Sequence, residues 1–250
     1  MIENSGYNDR SPGRKNCWTC LELPVTDYRQ VLRLQQNLAL ARANRDLQQD
    51  VLLLLQHFPV FTLGNRGGTE HIEVSAELLK EQGIDLIETG RGGSITYHGP
   101  GQLVAYPIVD LSCSGWFVTD FVRALETVMT KIVGEWGLIG RRDESNRGVW
   151  IKDRKIGSVG LQVRRKISFH GLALNVSTDL APFNWIAPCG LSGVQMTSIA
   201  AETGGPVSMS AAVRAAKTHF SSVFDVDLET ASGFFLNDYW GGEHYAQTAP

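Results

Sequence analysis

The chain has no apolar run long enough to cross a membrane. Its longest strongly apolar stretch, Val51 to Leu55, falls far short of the roughly 20 residues a spanning helix needs. The opening MIENSGYNDRSPGRKN has no apolar core of a secretory signal, and its Glu3 and Asp9 weigh against a transit peptide. A cytoplasmic location is therefore expected. Cysteine is scarce, with 4 in 250 residues, which excludes a disulfide scaffold. Cys17 and Cys20 form a CWTC with no second CxxC or HxxxH to complete it, and they read as two unrelated residues at the start of a strand. Cys113 follows an apolar strand and reads as structural. The histidines His57, His71, His98 and His170 show no HExxH or other compact ligand spacing, so neither a metal site nor a cofactor is expected. His98 and His170 are the best placed of them for function. Repeats, low-complexity tracts and linkers are also lacking.

What is present is an ordinary soluble composition, 43% hydrophobic and 20% charged. A net charge of −3 gives no reason to expect nucleic-acid binding. The charge is unevenly spread, however. From Arg141 to Lys166 there are nine basic residues against three acids, so that segment carries +6 and the remainder −9. Such a patch suits an acidic protein partner, or it is the solvated face of sheet strands; the two readings weigh equally.

Apolar periodicity predicts helices over Tyr28–Asp46 (with Asp27 as N-cap), Ala76–Gln82, Phe117–Trp136, Ser208–Phe224 and, at the end, Ala231–Trp240. Strands are expected at Val51–Leu55, Val60–Leu63, Ile84–Glu88, Leu103–Leu111, Gly148–Ile151, Lys155–Val163 and Lys166–Val176. These do not alternate as regular βαβ units, which argues an α+β fold rather than a doubly wound sheet. A polar leader (1–20), a central domain (21–225) and a C-terminal extension (226–250) are the expected divisions.

Two features carry chemistry. Gly90, Gly92, Gly93, Gly99 and Gly101 crowd a loop that also holds Arg91, Thr96, Tyr97, His98 and Gln102. No GK[ST] follows, and a strand rather than a helix comes next, so this is neither a phosphate loop nor a dinucleotide fingerprint. Its hydrogen-bonding capacity exceeds what a structural turn needs. The second feature is Cys189, set between Pro188 and Gly190 at a tight turn that can expose a thiol, with Lys155 as a candidate cationic neighbour. Taken singly, a buried filler cysteine and a solvent-facing strand lysine are the better readings.

Together the blocks RGG (Arg91–Gly93), TYHGPGQLV (Thr96–Val104), YP (Tyr106-Pro107), KIG (Lys155–Gly157, with Gly160), HG-ALN (His170–Asn175) and PCG (Pro188–Gly190) resemble the octanoyltransferase family. The likeness runs in order from about Leu21 to Phe224. Gln56, Ser94 and Ala105 depart from the commoner Glu, acid and Gly. The resemblance implies the α+β fold of the biotin and lipoate ligase catalytic domains, with mixed sheets flanked by helices. It implies Cys189 as the acyl-carrying nucleophile and Lys155 as its activating partner. The substrate-binding residues would be Arg91, Gly92, Gly93, Ser94, Ile95, Thr96, Tyr97 and His98, then Ser158, Val159 and Gly160, then Gly171, Leu172 and Ala173; His170 is a candidate for orienting the substrate. The donor would be octanoyl-acyl carrier protein. The acceptors would be lipoyl domains of 2-oxoacid dehydrogenase E2 subunits and glycine cleavage H protein, with no nucleic acid or membrane involved. An ATP-dependent lipoate or biotin ligase, a thiol hydrolase and a non-catalytic acyl- or lipoyl-domain-binding module are the rival expectations.

Overall fold

The computed structural model describes residues 16–144, 146–186, 194–231, 235 and 238–240. The first half of the chain runs β1 (Asn16–Thr26), α1 (Tyr28–Asn44), β2 (Asp50–His57), β3 (Val60–Leu63), α2 (Ala76–Glu81), β4 (Asp85–Glu88), β5 (Thr96–His98) and β6 (Gln102–Ile108). Next come α3 (Leu111–Ser114), α4 (Val118–Gly134), β7 (Gly140–Arg142), β8 (Gly148–Ile151), β9 (Arg154–Arg164) and β10 (Ile167–Asn175). The described elements close with α5 (Ile199–Thr203), α6 (Met209–Phe224) and β11 (Val226–Thr230). Eight strands form one mixed sheet in the order β11-β1-β2-β6-β10-β9-β8-β7, and β4-β3-β5 form a second, smaller one. The α+β expectation holds.

The helices start and stop where local chemistry dictates. Asp27 accepts the Gln30 N–H at 3.0 Å and so caps α1. Its Val31, Leu34, Leu38 and Ala41 recur at helical spacing and are buried on one side of the main sheet, over Leu53, Leu55, Val104 and Phe169. On the other side α4 and α6 cover Leu52, Leu54, Leu103, Leu172 and Leu174. Because both faces of β2 are covered, its residues read as a continuous apolar run instead of alternating. The strand is longer than expected at both ends. Asp50 extends it by accepting from Arg42 Nε at 2.8 Å and the Asp110 N–H at 3.0 Å.

One expectation changes. Strand β6 ends at Ile108 rather than Leu111, because the Asp110 carboxylate captures the N–H groups of Ser112 and Cys113 and starts the short α3. Cys113 consequently lies exposed on that helix, not in the core. The main sheet also draws on both sides of the expected domain boundaries: β1 begins at Asn16, and β11 lies beyond residue 225, pairing in parallel with β1. Of the expected terminal helix, residues 232–234, 236 and 237 fall outside those described, and 238–240 form a turn. No helix among the described residues is long and apolar enough to cross a membrane.

Beside β1, Phe224 is the hub of an aromatic cluster. Its ring lies 5.1 Å from Trp18, 5.2 Å from Phe121 and 5.4 Å from Trp116. Phe224→Ala is expected to cost about 3–5 kcal/mol of unfolding free energy, measured by urea denaturation, because it leaves a cavity among side chains from β1, α4 and the α3–α4 turn. A loss below about 1 kcal/mol would show that the cluster is not packed as described.

Candidate active site

The Gly-rich loop leaves the small sheet after β4 and crosses onto β9 of the large one. Arg91 anchors it on one side, donating through Nε and Nη2 to the Thr62 hydroxyl (3.2 and 2.8 Å) and through Nη2 to the Thr62 carbonyl at 2.6 Å. The next residue anchors it on the other, with the Gly92 N–H donating to the Leu161 carbonyl at 2.8 Å. Between loop and strands lies a cavity of about 310 Å³. Its polar lining includes Arg66, Arg91, Asn146, Arg147 and Lys155, and its apolar lining Ile95, Val159, Leu172, Ala173, Phe183, Val194 and Met196. A pocket of that make-up takes a ligand with an apolar tail and a polar or carbonyl head.

Strand irregularities aim the polar groups. In a regular strand Lys155 and Ser158, three apart, would point to opposite faces. Opposite the Val149-Trp150 step of β8, however, β9 spends two steps, from Gly157 to Lys155, and this bulge turns both Lys155 and Ser158 to the cavity. On β10, His170 has a positive φ of 58° and breaks the pairing with β6 where Pro107 has no N–H to give. The Gln35 side chain of α1 accepts the His170 N–H at 2.7 Å instead. Next to it Gly171 lies so close to β6 that a Cβ would stand 2.2 Å from the Ala105 carbonyl oxygen.

Behind the cavity, buried histidines are held neutral. The Thr26 carbonyl can only accept, so His57 Nδ1 carries the proton (3.0 Å) and Nε2 accepts from the Tyr106 hydroxyl at 2.8 Å. Burial pushes the His57 pKa down to about 4. A longer chain of amides fixes His98. The Thr197 carbonyl accepts from Asn175 Nδ2 (3.0 Å), so Asn175 Oδ1 accepts from Gln102 Nε2 (2.9 Å). Gln102 Oε1 then faces His98 Nδ1 at 2.7 Å, which must be the donor. His98 therefore keeps Nε2 unprotonated. Burial first, then the cost of protonating it beside His57 and beside the Arg91 guanidinium, hold its pKa well below the usual range. His170 is pushed to about 3 by burial and by Arg91, and its Nε2 is buried without a hydrogen-bond partner among the described residues, as is Ser94 Oγ.

Residues 27–221 match the lipoyl protein ligase A/B catalytic domain. An octanoyltransferase of Desulfotalea psychrophila is 47% identical over 186 residues, 74% of this chain and 83% of that one. One from Syntrophobacter fumaroxidans is 44% identical over 84% of this chain and 91% of its own length. The chain belongs to the octanoyltransferase family. It is an enzyme of that family, and its fold has solved counterparts outside it. A lipoate-protein ligase A bound with ATP superposes with a TM-score of 0.71 at 18% identity, over 92% of this chain and 96% of that one. A bipartite lipoate protein ligase of Thermoplasma acidophilum gives 0.67 at 19% identity, over 94% and 95%. A biotin protein ligase of Aquifex aeolicus gives 0.52 at 12%, over 84% and 71%. At these identities the likeness is one of fold.

Of the residues the octanoyltransferase pattern singles out, Arg91 to Thr96, His98, Lys155, Ser158 to Gly160 and His170 to Ala173 all line the cavity. Tyr97 does not: strand alternation turns its ring into the core of the small sheet, 5.6 Å from Phe61 and 5.4 Å from Phe183. Cys189 lies outside the described residues. The pattern left Tyr28, Arg66, Asn146, Arg147, Phe183, Val194 and Met196 unmarked, though all of them line the cavity. Among the described residues no cluster of three or more His, Cys, Asp or Glu side chains could hold a metal ion.

The buried histidines make stability depend on pH. Their folded pKa values lie below the unfolded value of about 6.5, so between about pH 6.5 and 4 the unfolded chain binds protons that the fold refuses. Stability is expected to be independent of these groups above that window. On acidification through it, stability should fall by up to about 1.4 kcal/mol per pH unit for each histidine. Urea midpoints from pH 8 to 4 measure this; a flat profile would contradict neutral, buried histidines.

Proposed function

We propose that this protein moves an octanoyl group from octanoyl-acyl carrier protein to a lysine of lipoyl domains, through a thioester on Cys189. The acceptors are the lipoyl domains of 2-oxoacid dehydrogenase E2 subunits and glycine cleavage H protein, in the cytoplasm. One observation carries the reading: Lys155 shares its cavity with both flanks of the segment that contains Cys189. Phe183 precedes that segment, Val194 and Met196 follow it, and all three line the cavity. The Lys155 peptide itself holds the later flank. Its N–H donates to the Gln195 carbonyl at 2.8 Å, and its carbonyl accepts the Thr197 N–H at 2.9 Å.

A free thiol with a pKa of about 8.5 is mostly protonated at neutral pH, and a lysine ammonium nearby favours the thiolate. The thiolate attacks the donor's thioester carbon; the new carbon–sulfur bond forms as the carrier's thiolate leaves and takes the proton of the Lys155 ammonium, which leaves Lys155 as the neutral amine. The lysine amine of the lipoyl domain then attacks the enzyme thioester. A carbon–nitrogen bond forms, Cys189 leaves as thiolate, and Lys155 accepts the surplus amine proton. Thioester exchange is near balance and amide formation from a thioester is downhill, so ATP has no part in the cycle. The apolar walls hold the acyl chain. The basic turn Arg164-Arg165-Lys166, which is exposed between β9 and β10, meets the acidic carrier.

The test mixes enzyme with octanoyl-acyl carrier protein without ATP and measures intact mass. A hydroxylamine-labile gain of one octanoyl group, mapped to Cys189 and absent in Cys189→Ala, is the expected result. Transfer retained by Cys189→Ala would overturn the nucleophile, and transfer that requires ATP would favour a ligase. Lys155→Arg, which keeps the charge but not an available proton acceptor, should slow amide formation more than acylation. Equal loss of both halves would remove the base role.

A further inference from the structure

Asn146 is absent from every motif that marked the cavity, yet the chain holds it in place from several sides. The Asn146 N–H donates to Asp143 Oδ1 at 3.2 Å, and its carbonyl accepts from Trp150 Nε1 at 3.3 Å. Two residues on, the Gly148 N–H donates at 2.9 Å to Oε1 of Glu126, a carboxylate of α4 with no exposed surface. Gly148 has a φ of 135°, and a Cβ there would stand 2.2 Å from the Gly157 carbonyl oxygen and 2.8 Å from Lys155 Cε. The segment is thus clamped against the stem of Lys155.

The clamp brings the Asn146 amide to the lysine. Lys155 Nζ donates to Asn146 Oδ1 at 2.5 Å and lies 5.7 Å from the centre of the Trp150 ring. An ammonium has only donors, so the atom it meets on Asn146 must be the oxygen. An acceptor at that distance, and a ring face beside it, both stabilise the charged lysine over the neutral amine. Lys155 is only 8% exposed, so water is a poor substitute for either.

We propose that Asn146 is a positioning residue that sets the protonation of Lys155 through this one hydrogen bond, and so sets the upper pH limit of the reaction. This rests on the role given to Lys155 above. Among the described residues, the other charged and titratable groups of the cavity are Tyr28, Arg66, Arg91, His98, Tyr106, Arg147 and His170. Glu126 lies 4.0 Å from Arg147, Asp143 is 3.6 Å from Arg141, and Glu202 is bound by Arg154 at 2.9 Å. Cys189 titrates together with Lys155 as a coupled pair. None of these side chains is altered when Asn146 alone is replaced, so a displaced limb of the coupled pair is assignable to the lost or altered acceptor.

The experiment is the pH dependence of kcat/KM for enzyme acylation by octanoyl-acyl carrier protein, in wild type, Asn146→Leu and Asn146→Asp. Leu removes the acceptor, and the alkaline limb should move down by about one pH unit. Asp keeps an oxygen in the same place and adds a negative charge, and the limb should move up. Opposite displacements support the proposal, because a merely structural role would lower the rate without moving the limbs apart. Limbs that coincide in all three enzymes overturn it. The nearly isosteric Asp variant keeps the test open if the Leu variant does not fold. Lys155→Met separates the two levels of the argument. If it is inactive while the limbs coincide, the Asn146 assignment fails alone; if it retains full activity, the role of Lys155 fails and the proposal with it.

Discussion

A buried guanidinium joins the two sheets and sets the electrostatics of the cavity between them. Arg91 is 7% exposed; its Nε and Nη2 donate to Thr62 on the small sheet and its Nη1 to the Gly92 carbonyl, while the Gly92 N–H bonds to the large sheet. Backbone hydrogen bonds from Gly64, Asn65 and Arg66 to Ser94, Arg91 and Gly93 hold the same loop to the end of β3. Burial keeps His98 and His170 neutral, and the same cation adds to this by discouraging a second proton nearby. Loop position and part of the histidines' electrostatics therefore trace to one charge.

Around that charge, departures from regular sheet geometry supply the rest of the site. The bulge of β9 turns Lys155 inward, and the positive φ of His170 lets β10 pass Pro107 while keeping the strand in the sheet. Each costs local regularity, and each is supported by a side chain from elsewhere: Gln35 for the His170 N–H, Glu126 for the Gly148 N–H. The amide chain from Thr197 through Asn175 and Gln102 extends this logic to a proton, fixing which nitrogen of His98 carries it. Helix α1 and helix α4 contribute one buried polar residue each to these supports, and otherwise bury apolar faces.

Much of this was legible in the sequence, because the signals were local. Helical spacing and Asp27 marked α1, and the glycine density marked the loop. Motif resemblance found most of the cavity. Tyr97 was misplaced within that block although alternation in β5 separates it from Thr96 and His98, so a period-2 reading would have turned it away from the ligand. Asn146 and Arg147 could not be read at all. They reach the cavity only because Glu126, far back in α4, clamps Gly148, and no residue pattern announces that contact. Cys113 was misjudged for a local reason, the capping carboxylate of Asp110, which competes with the strand for the same N–H groups.

The pairing of β1 with β11 bears on how the chain assembles itself. Residues Asn16 to Cys20 lie in register with Val226 to Thr230, so two strands at opposite ends of the described chain are neighbours. The hairpins β8-β9-β10 close short loops and can form early. The β1–β11 ladder must bring together segments separated by nearly the whole domain, at the steepest loop-closure entropy of any pairing in the sheet. On the ribosome, β1 emerges long before its last partner has been made, and until then it presents an unpaired edge beside β2. Synthesis order thus leaves this sheet open on the side away from the cavity, which makes that edge the natural place for a chaperone to act or for aggregation to begin.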